Sequence, residues 1–149
     1  MPKATTPAQY ILILIDMIES MGHARADLLQ GTSLAITGIS GIGARVGEDD
    51  FATLVSNAFA MTEDSALGLK LGLRLNLSAH AVLGQAFMTC ENMGQVMALF
   101  LKYYHLLSPA LYLEFEVRNG RCLLTTVSTP QENPIEFAYE LMYGAILNT

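Results

Sequence analysis

The chain has 149 residues, which is the length of one domain that can bury a sizeable core. Apolar residues make up 52% of it and charged residues only 15%, and this composition excludes intrinsic disorder. Eight Lys and Arg against 14 Asp and Glu give a net charge of −6, which argues against direct nucleic-acid binding because phosphate contacts need cationic side chains.

The first part of the chain predicts helices around a glycine-rich segment. Apolar residues at helical spacing predict a helix from Pro7 to Met21, apolar around most of its surface. A short helix is expected around residues 25–30, and a further strand could come from residues 34–46. The glycines of Thr37–Gly43 have the wrong spacing and context for a nucleotide-binding turn, so we interpret them as a loop.

Two helical segments follow, the second of them ambiguous. Apolar residues from Phe51 to Phe59 predict an amphipathic helix, with Asp49 and Asp50 as its caps. In residues 67–77 leucine stands at every second position, which favours a strand. The same residues are good helix formers with no β-branched side chain, and Leu67, Leu71 and Leu75 would share a helix face. We predict a helix here.

The second half of the chain carries sharper local signals. Asn92-x-x-Gln95 is a capping box that opens a helix ended by Ser108-Pro109. Alternating apolar residues on either side of Asn119-Gly120 predict a hairpin with a type I′ turn, in which Val117 faces Cys122 and Phe115 faces Leu124. A second capping box at residues 133–136 opens a helix with Phe137, Leu141 and Ala145 on one side.

These elements predict an α+β fold. We expect residues 1–149 to form a single domain of five or six helices packed on a small antiparallel sheet built around the hairpin at 110–128. The two cysteines are too few for a disulfide framework, and no apolar run approaches the roughly 20 residues of a membrane span. We therefore expect a cytoplasmic domain that has no membrane partner.

The residues that could carry chemistry form no recognisable set. His23, His80 and His105 are far apart and lie in no short ligand motif. Glu114 and Glu116 are two apart on one strand, where a solvated polar face explains them better than an acid–base pair. We expect no catalytic residue, no metal site and no cofactor, and hence no enzyme.

Two segments resemble a known family. They are ALGLKLGLRL at residues 66–75 and VLGQAFMTCENMGQVMALFLKYYHLLSPAL at residues 82–111, followed by the hairpin. Together they resemble the N-terminal effector-binding domain of AraC-type transcription regulators, the type labelled arabinose-binding. The order of the earlier helices fits the same family, so the resemblance covers about the whole chain.

The resemblance implies a homodimeric cytoplasmic regulator that senses a small-molecule effector, apolar or amino-acid-like. It implies contact with DNA only through a C-terminal helix-turn-helix domain, which this sequence lacks. The sequence ends in the helix where the linker would begin, so we expect an effector-binding and dimerisation domain. The alternative is a stand-alone small-molecule or lipid-binding or scaffolding module with no DNA-linked role.

The expected ligand residues come from packing geometry, since the family motif does not supply them. The apolar face of the hairpin needs helices over it, and the nearest helix in sequence carries an apolar stripe. Tyr104 and His105 could add a polar contact to a carboxylate or an amine. Such stripes also form ordinary core, and both interpretations stay open for the candidate residues Met97, Phe100, Tyr104, His105, Leu113, Phe115 and Leu124.

Overall fold

The computed structural model describes residues 5–40, 43–108, 111–127 and 135–148. Its strands are β1 (Thr5–Pro7), β2 (Arg45–Gly47), β3 (Leu113–Arg118) and β4 (Arg121–Thr126). Its helices are α1 (Ala8–Ser20), α2 (Arg25–Leu28), α3 (Leu34–Thr37), α4 (Glu48–Thr62), α5 (Leu67–Gly72), α6 (Ala81–Met88), α7 (Met93–Tyr103) and α8 (Ile135–Leu147). Two short 3₁₀ helices, Leu77–His80 and Tyr104–Leu106, precede α6 and follow α7. Because α2 and α3 are single turns, six α-helices exceed one turn in the described residues, and the predicted α+β fold is confirmed.

Helix α1 is the centre of the larger of two apolar clusters. Ile11, Leu14, Ile15 and Ile18 are all buried, as the helical spacing of the sequence predicts. Helices α2, α4 and α5 pack against α1, and α8, which packs mainly on α5, completes this first cluster. The main core is therefore made by helix–helix packing, and the hairpin lies outside it.

The expectation of a further strand from residues 34–46 is only partly correct. Residues 45–47 form β2, which pairs antiparallel with β1, Thr6 opposite Val46. Residues 34–37 instead form the single turn α3, whose Leu34 is buried and whose Thr37 hydroxyl donates to the Ser33 carbonyl. A local hydrogen bond of this kind favours a turn over a strand ladder. Residues 41 and 42 of the glycine-rich segment lie outside the described residues.

Helix α4 begins at Glu48, before either of its predicted caps. Gly47 is the N-cap, so Asp49 and Asp50 lie within the first turn, and their assignment as caps is wrong. The Asp50 carboxylate instead accepts hydrogen bonds from the backbone N–H and the hydroxyl of Ser33. This contact connects the start of α4 to the residue before α3. The carboxylates of Asp49 and Asp50 still interact favourably with the positive end of the α4 dipole.

The ambiguous leucine segment begins as a helix. Leu67, Leu71 and Leu75 have no exposed surface, whereas Leu73 is 46% exposed. This burial follows a spacing of four residues and not of two, so the helix prediction is confirmed for residues 67–72. Beyond Gly72 the chain turns into the first 3₁₀ helix and then into α6, which the periodicity of the sequence did not predict.

Helices α5 and α8 cross at very short distance because glycines stand at the contact. A methyl group on Gly72 would lie 2.3 Å from the Leu141 carbonyl oxygen and 2.8 Å from the Gly144 Cα. A methyl group on Gly144 would lie 2.6 Å from the Leu69 carbonyl oxygen. Only glycine on each helix permits two backbones to approach this closely.

Helix α7 and the hairpin follow the local signals closely. The Asn92 side chain accepts from the Gln95 N–H at 3.0 Å, as the capping box predicts. Val117 pairs with Cys122 and Phe115 with Leu124 in the hairpin. Positive φ angles at Asn119 and Gly120 confirm the type I′ turn.

Helices cover the apolar face of the hairpin only near its base. Leu113 and Leu124 pack against the second apolar cluster, whereas Val117 near the turn is 66% exposed. The expectation that helices cover the apolar face formed by Leu113, Phe115 and Leu124 therefore holds for Leu113 and Leu124, whereas Phe115 belongs to neither cluster. Pro109, Ser128 and residues 133–134 of the second capping box lie outside the described residues.

Candidate functional site

A small cavity lies where the two apolar clusters meet. The second cluster is centred on Leu83, Phe87, Phe100, Tyr104, Leu111 and Met142. Between it and the α1 cluster lies a cavity of about 60 Å³ whose walls come from α1, α6, α7, α8 and both 3₁₀ helices. Helix α8 contributes four or more of the lining residues, among them Ala138, Met142 and Ile146. A molecule in this cavity would contact both clusters and the last described helix.

Two polar side chains lie in the cavity wall and bind each other. The Tyr10 hydroxyl lies 2.6 Å from His80 Nδ1, and the two rings meet edge to face. Burial lowers the pKa of His80 to about 4, so its imidazole is neutral near pH 7. Burial also raises the pKa of the Tyr10 phenol, partly offset by the charge of Arg45. The phenol therefore donates and Nδ1 accepts, which leaves the imidazole proton on Nε2.

The turn that carries His80 is held in a strained backbone conformation. Ala81 directly follows His80 and has φ 52° and ψ −134°, a region that glycine occupies and other residues rarely adopt. Such a conformation persists only where the surrounding contacts hold it. The imidazole is thus positioned from both sides, by the phenol of Tyr10 and by the backbone that follows it.

The structure brings five of the seven candidate ligand residues together. Met97, Phe100, Tyr104, Leu113 and Leu124 all belong to the second cluster. Phe100 and Tyr104 line the cavity, and their rings lie 5.9 Å apart. Met97, Leu113 and Leu124 pack behind this wall and do not line the cavity.

The other two candidates lie apart from the cavity. Phe115 is half-buried further along the hairpin and belongs to neither cluster. His105 is exposed, and its ring centroid lies 4.0 Å from that of Tyr104 with the two ring planes tilted by 41°. The Tyr104 hydroxyl accepts from the Leu113 N–H at 3.4 Å, so this polar group joins the hairpin to the end of α7.

Sequence reasoning missed the opposite wall of the cavity. Tyr10, His80, Phe87 and Met142 come from segments far from the hairpin in sequence, and no local pattern links them. One signal was available, because His80 stands in the run Ser-Ala-His-Ala-Val at 78–82, where small apolar neighbours favour burial. Which residue it would bind still depended on the tertiary fold.

The buried imidazole gives a testable pH dependence. In the unfolded chain His80 takes up a proton near its ordinary pKa of 6.5, but in the folded chain only near 4. The unfolded state therefore binds more protons between these values, and the free energy of unfolding falls as the pH drops from 6.5 to 4. We expect His80 to account for up to about 3 kcal/mol of this loss.

Urea unfolding of wild type and His80→Gln at several pH values checks this expectation. Glutamine can still accept from Tyr10 but does not titrate, so its free energy of unfolding should depend less steeply on pH between 6.5 and 4. The control His105→Gln makes the same substitution at an exposed position and shows how much of any change comes from the exchange of histidine for glutamine itself. Equal slopes for wild type and His80→Gln would contradict the assignment.

In the described ranges, no three His, Cys, Asp or Glu side chains gather closely enough to hold a metal ion. No helix in the described part of the chain is long and apolar enough to cross a bilayer.

Comparison with known proteins gives one family and several regulators. Residues 22–149 match the family described as "Arabinose-binding domain of AraC transcription regulator, N-term". The ornithine utilization regulator of Pseudomonas aeruginosa is 34% identical over 123 residues, which cover 83% of this chain and 36% of that protein.

Two more distant relatives are also described as regulators. Uncharacterized HTH-type transcriptional regulators of Mycobacterium bovis and Mycobacterium tuberculosis are each 26% identical over 101 residues, which cover 67% of this chain and 29% of those proteins. The chain thus spans about a third of the length of the curated relatives it matches. No solved structure matches the chain significantly.

Proposed function

The chain belongs to the family of arabinose-binding N-terminal domains of AraC transcription regulators, and from this membership we propose that it senses a small-molecule effector on behalf of a DNA-binding domain. That domain would lie in the two thirds of the regulator that the chain does not span. The net charge of −6 supports this division, since the sensing domain itself need not contact phosphate.

The cavity between the two apolar clusters is the observation that carries this proposal. Its walls come from elements that are distant in sequence, so an occupant changes how these elements pack against each other. At about 60 Å³ it is smaller than ordinary ligand pockets, which hold at least about 300 Å³. The effector must therefore bind a more open arrangement more tightly than the closed one. A difference in affinity between two arrangements is what allows a ligand to shift their populations.

Helix α8 is suited to transmit such a change. It lines the cavity, crosses α5 at the glycine contact, and its Tyr139 hydroxyl donates to the Val127 carbonyl beyond β4 at 2.8 Å. Movement of α8 therefore alters the first cluster and the hairpin together. We propose that this helix links effector binding to the presentation of the DNA-binding domain.

We also propose that the chain forms a homodimer. Several large apolar side chains are exposed on α6 and the hairpin, among them Val82, Met88 and Val117. A contiguous patch of such side chains would be typical of a binding interface. A second copy of the chain is the proposed partner.

Native mass spectrometry of the purified protein, followed by denaturing analysis of any bound molecule, tests the function. We expect a dimer that carries a small molecule, or that shifts in mass when an effector is added. Phe100→Ala should weaken retention of that molecule at least tenfold, because Phe100 forms part of the cavity wall. A monomer that retains no apolar or amino-acid-like molecule would count against the sensor function.

A further inference from the structure

We propose that the cavity takes a small uncharged apolar molecule, with a short aliphatic chain and at most one neutral polar group, and rejects charged amino acids such as ornithine. This inference rests on the proposed function, since it names the ligand class of the same cavity. This ligand class differs from the charged amino acid that appears in the name of a relative, the ornithine utilization regulator.

The walls of the cavity offer no partner for a charge. None of the described residues that line it is Asp, Glu, Lys or Arg. Leu75, Phe87, Leu111 and Met142 are among the lining residues, and the lining surface is almost wholly carbon. An ammonium or carboxylate group placed here would lose its hydration and gain no counter-ion, which is the costly case for burial.

The polar groups of the wall do not change this conclusion. The Tyr10 hydroxyl and His80 Nδ1 satisfy each other at 2.6 Å, and the Tyr104 hydroxyl accepts from the Leu113 N–H. The imidazole is neutral near pH 7 because of its burial. What remains to a ligand is a hydrogen bond to a neutral group, which suits an alcohol or carbonyl and not an ion.

The acidic residues of α8 lie on another side of the helix. Glu136 and Glu140 line a separate groove along α4, and Glu140 Oε2 lies beside Gly68. They are not among the residues that line the cavity. The nearest carboxylates on this helix therefore cannot balance an amine in the cavity without a rotation of α8.

The small size of the cavity favours a slender ligand. Its volume of about 60 Å³ is well below that of ordinary ligand pockets, so a bulky ligand would require the walls to open further than a slender one. Ile146 is 41% exposed and Leu107 half-buried, so the outer wall is formed by side chains that can move aside. A slender methylene chain needs the least displacement of this wall.

Three probes test the ligand class, two of them matched in size and the third a charged amino acid. They are 1-hexanol, hexylammonium and L-ornithine, titrated at pH 7 against protein with ¹³C-labelled methionine methyl groups. Met142 lines the cavity and reports occupancy, whereas Met93 is exposed and serves as internal reference. We expect 1-hexanol to shift the Met142 signal saturably and to bind at least about a hundredfold more tightly than either charged probe.

Two variants locate the binding. Ala138→Leu adds carbon atoms at a half-buried lining position, and Ala98→Leu makes the same change at an exposed position of α7. Ala138→Leu should weaken 1-hexanol binding at least tenfold and Ala98→Leu should leave it unchanged. If Ala138→Leu does not fold, the comparison of the Met142 and Met93 signals in the wild type still decides the question.

The remaining outcomes overturn the inference in distinguishable ways. Binding of hexylammonium or L-ornithine as tight as that of 1-hexanol, and weakened by Ala138→Leu, would reject the ligand class and leave the cavity as effector site. Binding of 1-hexanol that is unaffected by Ala138→Leu would place it elsewhere. No response of Met142 to any probe at several millimolar would also reject the ligand class, while native mass spectrometry tests the sensor function separately.

Discussion

Replacing Gly72 by alanine should lower the free energy of unfolding by about 3 kcal/mol, because the added methyl group meets backbone and not a side chain that can move. It would lie 2.3 Å from the Leu141 carbonyl oxygen and 2.8 Å from the Gly144 Cα. To relieve this overlap α8 must move away from α5, and the buried residues Phe137, Leu141 and Ala145 move with it. The change is measured as the shift in the midpoint of urea unfolding.

A matched control separates this steric effect from the general effect of replacing glycine. Gly47 has φ −64°, which alanine adopts freely, and a methyl group there would have nothing within 4 Å. Gly47→Ala should lower the free energy of unfolding by no more than about 1 kcal/mol, the cost of a poorer N-cap for α4 without any steric overlap. If Gly72→Ala is as mild as Gly47→Ala, the close crossing of α5 and α8 is incorrect.

Leu71→Ala should destabilise the fold by about 2 to 5 kcal/mol, since its side chain is fully buried in the first cluster and its loss leaves a cavity. Leu73→Ala should cost less than about 1 kcal/mol because 46% of that residue is exposed. Both are leucine-to-alanine changes two positions apart in one segment. Urea unfolding of the two variants compares them directly.

The comparison also tests the secondary structure of this segment. In a half-buried strand, positions 71 and 73 would face the same side and the two variants would be equally damaging. In a helix they point in different directions, so one variant is severe and the other mild. Equal losses would therefore contradict helix α5 and the placement of α8 against it.

The consequences of Gly72→Ala extend to the cavity between the two clusters. Leu141, whose carbonyl lies against Gly72, also lines the cavity. A variant that displaces α8 should therefore weaken ligand retention as well as stability. Leu71 lies in the first cluster and does not line the cavity. Leu71→Ala should therefore lower the free energy of unfolding more than it weakens ligand retention.

The sequence alone determined the elements whose signals are local. The register of the hairpin follows from Asn119-Gly120, because a two-residue type I′ turn allows one pairing of the flanking strands. The buried face of α1 follows from its apolar spacing, and the start of α7 from Asn92 and Gln95. The family resemblance also came from sequence, through the segments at residues 66–75 and 82–111.

Only the tertiary structure decided how these elements meet. The caps of α4 were misassigned because Asp50 binds Ser33, a residue 17 positions away. The glycines of α5 and α8 have a packing role that appears only when the two helices cross. The cavity combines Tyr10, His80 and Met142, and no sequence pattern connects positions so far apart. Contacts within a few residues are governed by backbone geometry and capping, whereas contacts between distant segments depend on the packing of the whole chain.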